Sequence, residues 1–215
     1  FNLCYEMIKQ AKLSGANIAK FQVGWRDGPG EINQLDKKKI QKIINWCKYH
    51  EIQPLFSIIS DNAYKMIKNI KISKYKIASR SLKYNFKLVK KIVKENPEKE
   101  IIISLGMWNK KIFPFKNKNI KYLWCVSKYP TFNEDLSKFP KKFTKGGFYG
   151  YSDHTIGIET CLLAISRGAK IIEKHFTLDK SSNVIRDHAL SATPEEFRQL
   201  VNLGREIEKK INLNI

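Results

Sequence analysis

Short apolar segments rich in Ile, Val, Tyr and Phe alternate along the whole chain with longer amphipathic segments, and this alternation constrains the fold more than any other feature. The short segments are almost continuously apolar and are bounded by turn residues, which is typical of strands buried on both faces. They lie at residues 17–23, 52–59, 75–79, 100–105, 120–127, 148–152 and 169–175. Strands that alternate with helices predict a parallel sheet.

The longer segments place apolar residues on one face at helical spacing. They predict helices at residues 3–13, 36–50, 62–69, 85–95 and 155–167, followed by a long last helix. The last helix begins at Thr193-Pro194-Glu195-Glu196, where a threonine cap, a proline at the first helical position and a glutamate form a capping box. Residues 133–145 are poorly patterned and predict one irregular turn.

Seven strands, each followed by a helix or a helix-like connection, are one strand short of an eight-stranded barrel. If a strand preceded Phe1, the fold would be a (β/α)8 TIM barrel, and residues 1–215 would form a single catalytic domain. An open doubly wound sheet is the alternative. The sequence has neither a GxGxxG nor a GxxxxGK[ST] loop, so we favour the barrel that lacks its first strand.

The chain is strongly basic: 40 Lys+Arg against 20 Asp+Glu give a formal net charge of +20. Such a charge suggests a nucleic-acid partner. However, only six of these 40 residues are arginines, which bidentate phosphate and base contacts favour. The lysines lie mostly on polar helix faces, so we favour a solvated surface over a polyanion site, and we expect no nucleic-acid partner.

The cysteines and the apolar segments indicate the compartment. The four cysteines form no CxxC pair, and we expect no signal peptide and free thiols in the cytoplasm. No apolar stretch approaches the roughly 20 residues that a membrane-spanning helix needs.

Most predicted strands end in a hydroxyl, a lysine or a histidine. Active sites of parallel barrels form at the carboxyl ends of the strands. Two lysines and several serines at one rim would hold a phosphate or a carboxylate. The alternative is that strand ends are polar because they meet solvent. The residues are Lys20, Ser57, Lys76, Ser79, Ser104, Ser127 and Ser152.

Two histidines, His154 and His175, end consecutive predicted strands. Adjacent strands lie about 4.7–4.9 Å apart, so both imidazoles could bind one divalent metal and leave positions for water or substrate. Asp153 and Glu173 could support the two rings. A purely structural histidine pair is the alternative. Residues 186–188, Arg-Asp-His, either contact a polar substrate or are solvated.

These residues lie in segments that together resemble a known family. The segments are AKFQ at 19–22, YKIAS at 75–79, ISLGM at 103–107, SKYPT at 127–131, YSDHT at 151–155 and EKHFTLD at 173–179. With them in this order, nearly the whole chain resembles the N-acetylneuraminate (sialic acid) synthases, a family that includes the legionaminic and pseudaminic acid synthases.

The resemblance implies an enzyme of carbohydrate biosynthesis that condenses phosphoenolpyruvate with an N-acyl hexosamine such as N-acetylmannosamine. C3 of phosphoenolpyruvate attacks the aldehyde carbon of the open-chain sugar, water adds at C2, and the tetrahedral intermediate loses phosphate. The product is a nonulosonic acid of the sialic, legionaminic or pseudaminic type.

The resemblance also assigns roles by matched position. Lys20, Ser57, Lys76, Ser79, Ser104, Ser127 and Ser152 would bind phosphoenolpyruvate. His154 and His175 would bind Mn²⁺ or Mg²⁺, while Tyr129 and Asp187 would contact the sugar. The family's C-terminal antifreeze-like domain completes the neighbouring subunit's site, which implies a homodimer.

The chain departs from the family pattern at several points. Ser81 stands where the family usually has a glutamate, and Ser127 where it usually has an asparagine. The loop after Gln22 is shorter, and we expect the family's first strand and its antifreeze-like domain to have no counterpart within residues 1–215. These departures leave two alternatives open: a phosphoenolpyruvate-using synthase with another acceptor, or a non-catalytic basic barrel that binds a polyanion or a partner.

Overall fold

The computed structural model describes residues 2–25, 28, 31, 34–181 and 186–213. The chain divides into two compact units. We call Ile18–Lys121 the N-terminal unit. The C-terminal unit consists of Tyr122–Ile215 together with Phe1–Asn17.

Helices and strands alternate in the described residues. The elements are α1 (Asn2–Leu13), β1 (Ile18–Val23), α2 (Lys37–Tyr49), β2 (Gln53–Ile58), α3 (Asp61–Ile67), β3 (Lys74–Ile77), α4 (Ser79–Tyr84), α5 (Phe86–Glu95), β4 (Glu100–Ser104), β5 (Ile120–Trp124), β6 (Gly150–Asp153), α6 (Glu159–Ser166), β7 (Ile171–Lys174) and α7 (Pro194–Asn212). Two 3-10 helices, Asn133–Leu136 and Arg186–His188, lie in connections.

In the N-terminal unit, β1 to β4 are parallel and follow one another in chain order. The register pairs Gln22 with Ser57, and Ser57 with Lys76. Because side chains alternate between the two faces of a strand, these three residues and Lys20 lie on one face of the sheet. The opposite face of β3 presents Tyr75, which is fully buried.

In the C-terminal unit, the end of β5 from Tyr122 onward, β6 and β7 are also parallel neighbours in chain order. Tyr151 of β6 packs in a hydrophobic core with Phe143, Cys161 of α6 and Leu200 of α7. Helix α7 begins with the predicted capping box, in which the Thr193 hydroxyl accepts from Glu196 N and the Glu196 carboxylate accepts from Thr193 N. This unit positions the ends of β6 and β7.

The structure confirms the parallel strands with intervening helices and corrects several boundaries. Residues 78 and 79 do not extend β3, because Ser79 begins the unpredicted helix α4. The helix predicted from residue 155 begins only at Glu159, since Gly157 has a φ of 82° that interrupts the helical backbone.

The connection from β4 to β5 contains no helix in the described residues. Instead, its rings Trp108 and Phe115 each stack on Phe86, with both pairs of ring centroids 5.7 Å apart. A closed eight-stranded barrel stays a prediction. Within the described residues, no helix combines the length and apolar character that crossing a membrane requires.

Replacing Gly150 by alanine tests the close approach of β6 and β7. A Cβ at this position would overlap the carbonyl oxygen and Cβ of Ile171, which is its register partner. Backbone cannot move aside cheaply, so we expect Gly150→Ala to lower the free energy of unfolding by about 2–3 kcal/mol in urea titrations. Gly146→Ala is the control because a Cβ there meets nothing within 4 Å. Equal stability of the two variants would contradict the observed register.

Candidate active site

A buried lysine and a serine meet at the carboxyl ends of β3 and β4 in the N-terminal unit. Lys76 is only 3% exposed, and its Nζ donates to Ser104 Oγ at 2.7 Å and to Ile77 O at 3.1 Å. Both acceptors are neutral. The structure therefore brings together two of the residues that the sequence predicts to bind an anion.

Three further predicted residues lie around this contact. Ser57 is buried on β2 as the register partner of Lys76. Ser79 is not at a strand end but begins α4, and its Oγ accepts from Gly106 N at 2.9 Å. Lys20 is half-buried on β1. An ammonium group and several hydroxyls on one face of the sheet are suited to an oxyanion.

Ser81, where the resemblance leads us to expect a glutamate, is buried within α4. Its Oγ donates to Ile58 O at 3.3 Å. The Ser81 hydroxyl therefore bonds within the fold. The contact with the acceptor sugar that the resemblance leads us to expect from a glutamate has no counterpart at this position.

The two predicted histidines directly follow β6 and β7, and their ring centroids are 5.6 Å apart. His154 Nδ1 lies 2.6 Å from Val126 O. Because a carbonyl oxygen can only accept, Nδ1 carries the hydrogen, so in the neutral ring the lone pair resides on Nε2. The backbone is also held, since Thr131 N donates to His154 O and Ala192 N donates to His175 O, both at 2.8 Å.

Tyr129, a predicted sugar ligand, packs against the imidazole pair. Its ring centroid is 4.2 Å from that of His154 and 6.0 Å from that of His175. With 37% of the residue exposed, the tyrosine can present its outer side to a bound molecule.

A buried ion pair lies next to the imidazoles, and the sequence reasoning missed its lysine. Lys174 Nζ contacts Asp153 Oδ2 at 2.5 Å, with side chains 1% and 0% exposed. The carboxylate also accepts from Tyr151 OH at 2.7 Å, from Thr155 N at 2.9 Å and from Thr155 Oγ1 at 2.8 Å. The sequence did contain a signal for this ion pair, because Asp153 and Lys174 each stand one residue before one of the two histidines.

Electrostatics in this pair favour the charged carboxylate. Burial alone would raise the pKa of Asp153, but the Lys174 ammonium and the hydrogen bonds from Lys174, Thr155 and Tyr151 outweigh it and lower that pKa. Burial, followed by the nearby Asp153 charge, raises the pKa of Tyr151, so the phenol stays protonated as a donor.

The other predicted residues occupy separate positions in the C-terminal unit. Ser152 is buried on β6 in register with Glu173, and Ser127 is half-buried three residues beyond the end of β5 rather than within the strand.

Asp187, the other predicted sugar ligand, lies in a 3-10 turn, and its backbone carbonyl accepts a hydrogen bond from the Ser191 hydroxyl. Its contact with the sugar stays a prediction. The Arg186 side chain and residues 26, 27, 29, 30, 32 and 33 of the loop after Gln22 lie outside the described residues.

The donor set at the imidazole pair restricts how a metal could be held. Among the described residues, no group of three or more His, Cys, Asp or Glu side chains is arranged to hold a metal ion. The protein would supply two nitrogen ligands, with water or substrate completing the coordination, as in open catalytic sites.

Comparisons with known proteins agree on one family. A model of the NeuB family matches residues 31–214. Uncharacterized protein MJ1065 of Methanocaldococcus jannaschii is 32% identical over 96% of this chain and 66% of its own length. The N,N'-diacetyllegionaminic acid synthase of Campylobacter jejuni is 30% identical over 97% of this chain and 72% of its own length. The chain thus spans about two thirds of the length of these relatives.

A solved structure is similar over nearly the whole chain. It is the N-acetylneuraminic acid (sialic acid) synthetase of Leptospira borgpetersenii in complex with citrate, with a TM-score of 0.81 and 28% identity. The similarity covers 98% of this chain and 79% of that one.

Replacing Ser104 by alanine tests the Lys76 contact. The change removes an acceptor from a buried ammonium group, so we expect the free energy of unfolding to fall by about 1–3 kcal/mol. Urea titrations would measure the difference. The exposed Ser137→Ala is the control, with an expected change below about 0.5 kcal/mol. Identical unfolding curves for the two variants would show that Ser104 does not support Lys76.

Proposed function

Because the chain belongs to the NeuB family, we propose that it is a nonulosonic acid synthase. The reaction joins C3 of phosphoenolpyruvate to the aldehyde carbon of an N-acyl hexosamine, such as N-acetylmannosamine or a related amino sugar. Water adds at C2, the C2–O bond to phosphate breaks, and phosphate leaves. The product is a sialic, legionaminic or pseudaminic type of acid.

The observation that carries the proposal is the imidazole pair at the ends of β6 and β7. Its ring centroids are 5.6 Å apart, and the contact with Val126 O directs the lone pair of His154 to Nε2. Imidazole nitrogens in this form are suitable ligands for a divalent ion. We propose that His154 and His175 hold Mn²⁺ or Mg²⁺, which when bound polarises the aldehyde oxygen of the acceptor.

The anion-binding residues of the N-terminal unit support phosphoenolpyruvate as the second substrate. Phosphoenolpyruvate carries a phosphate and a carboxylate, and both need charged or hydroxyl donors. We propose that these donors are Lys20, Ser57, Lys76, Ser79 and Ser104. The resemblance assigns the same role to Ser127 and Ser152.

We propose that the acceptor sugar binds to Tyr129 and Asp187. Tyr129 is 37% exposed and its ring packs beside the imidazoles, near which the reacting aldehyde would have to be. Ser81 is committed to Ile58 O, so it would not replace the glutamate expected for acceptor binding. Because this glutamate is missing, we propose that the acyl sugar be identified with a panel of substrates. The homodimer and the cytoplasmic location also stay predictions.

Phosphate release tests the proposed reaction directly. We expect release from phosphoenolpyruvate only when both Mn²⁺ and the correct N-acyl hexosamine are present, and a chelator should abolish it. His154→Ala should lower the rate at least about 100-fold because it removes one of two protein ligands. The readout is free phosphate measured across a panel of acyl sugars.

The matched control is His50→Ala, which removes a histidine at the C-terminal cap of α2 and should keep the full rate. Phosphate release that persists in His154→Ala would contradict the metal assignment. If no sugar supports release and calorimetry detects neither Mn²⁺ nor phosphoenolpyruvate binding, the synthase proposal is wrong. Salt-sensitive binding to a polyanion would then favour the basic scaffold.

A further inference from the structure

Asp153 and Lys174 occupy equivalent positions on neighbouring strands, each one residue before an imidazole. The register pairs them directly. Alternation along the strands turns their side chains to the face opposite that of His154 and His175. Asp153 accordingly reaches Cys161 of α6, whose Sγ lies 3.3 Å from Oδ2. The ion pair thus lies behind the two imidazoles rather than between them.

Lys174 holds the chain on both sides of His154. Its Nζ contacts Asp153 Oδ2 at 2.5 Å and donates to Thr155 O at 2.6 Å. Asp153 Oδ1 in turn accepts from Thr155 N and Thr155 Oγ1. One ammonium group, which belongs to the residue before His175, therefore fixes the residues before and after His154.

Stability alone does not account for this pair. Removing two charges from water costs several kcal/mol per ion, and neutral replacements of similar volume are often as stable or more stable. A fully buried pair with satisfied hydrogen bonds does, however, limit its neighbours to one geometry. In this protein the ion pair fixes the position of residues 153–155 relative to the end of β7.

We propose that Asp153 and Lys174 are positioning residues that set the distance between His154 and His175. By fixing residues 153–155 they also hold the His154 ring against Val126 O, which keeps the lone pair of the neutral ring on Nε2. Together they allow both imidazoles to reach one ligand. This inference rests on the proposed function only for the identity of that ligand as a divalent ion.

The test compares Asp153→Asn, Lys174→Met and the double variant that carries both changes. Each single variant leaves one charge buried without its partner, so both should be destabilised, whereas the double variant is neutral and should recover much of the lost stability. If a single variant fails to fold, the double variant is sufficient for the test. Lys170→Met is the control, since it breaks an exposed pair with Glu208 just before the same strand.

Calorimetry with Mn²⁺ alone separates positioning from a merely structural role. We expect the double variant to bind Mn²⁺ about 10–100-fold more weakly than the wild type despite its recovered stability. Lys170→Met should bind as the wild type does. A double variant with wild-type affinity would overturn the proposal, because the pair would then serve stability only.

A second readout is independent of metal and of turnover. Long-range ¹H–¹⁵N spectra of the histidine rings report which nitrogen carries the hydrogen. At a pH where the ring is neutral, we expect a single Nδ1–H form for His154 in the wild type and a mixture of both forms in the double variant. An unchanged His154 signal in the double variant would overturn the proposal.

The two readouts also separate this proposal from the proposed function. If the wild type binds no Mn²⁺ and releases no phosphate, the synthase proposal fails. The His154 spectrum then decides whether Asp153 and Lys174 position the rings.

Discussion

The buried carboxylate of Asp153 joins the parts of the C-terminal unit that carry the imidazole pair. It accepts hydrogen bonds from its own strand, from the following loop, from α6 and from Lys174 of β7. A charged group without access to water must be satisfied on all sides, so these elements fit around it in one way. The positions of His154 and His175 follow from that arrangement, because each is covalently attached to one member of the pair.

The two units each bury a lysine, but they surround it differently. Lys174 is neutralised by Asp153, which suits a structural task next to the imidazoles. Lys76 donates to Ser104 and to the carbonyl of Ile77, which are neutral acceptors, on the face that also carries Lys20 and Ser57. A cation among hydroxyls stabilises an incoming phosphate or carboxylate. We therefore propose that the buried lysines serve different purposes, Lys76 towards an incoming anion and Lys174 towards the fold next to the imidazoles.

The sequence predicted the elements better than their ends. The strands were predictable because a strand buried on both faces needs apolar residues at nearly every position, and that pattern is visible in the sequence. Helix α4 was missed because Ser79 and Ser81 look like strand-end and loop residues until their hydroxyls bond across the fold. The histidine pair was predicted from strand order alone. Lys174 was not, since only the register of β6 and β7 shows that it faces Asp153.

Net charge is a poor guide to which lysines matter in this chain. A formal charge of +20 describes the whole chain, and exposed lysines such as Lys209 of α7 form ion pairs that contribute little to stability. Lys76 and Lys174 differ because burial forces each of them to have defined oxygen partners. A polyanion would be attracted to the exposed lysines, whereas a small anionic substrate needs a charge that is held in place. Lys76, buried at a strand end beside Ser104, therefore favours a small-molecule site over a nucleic-acid surface.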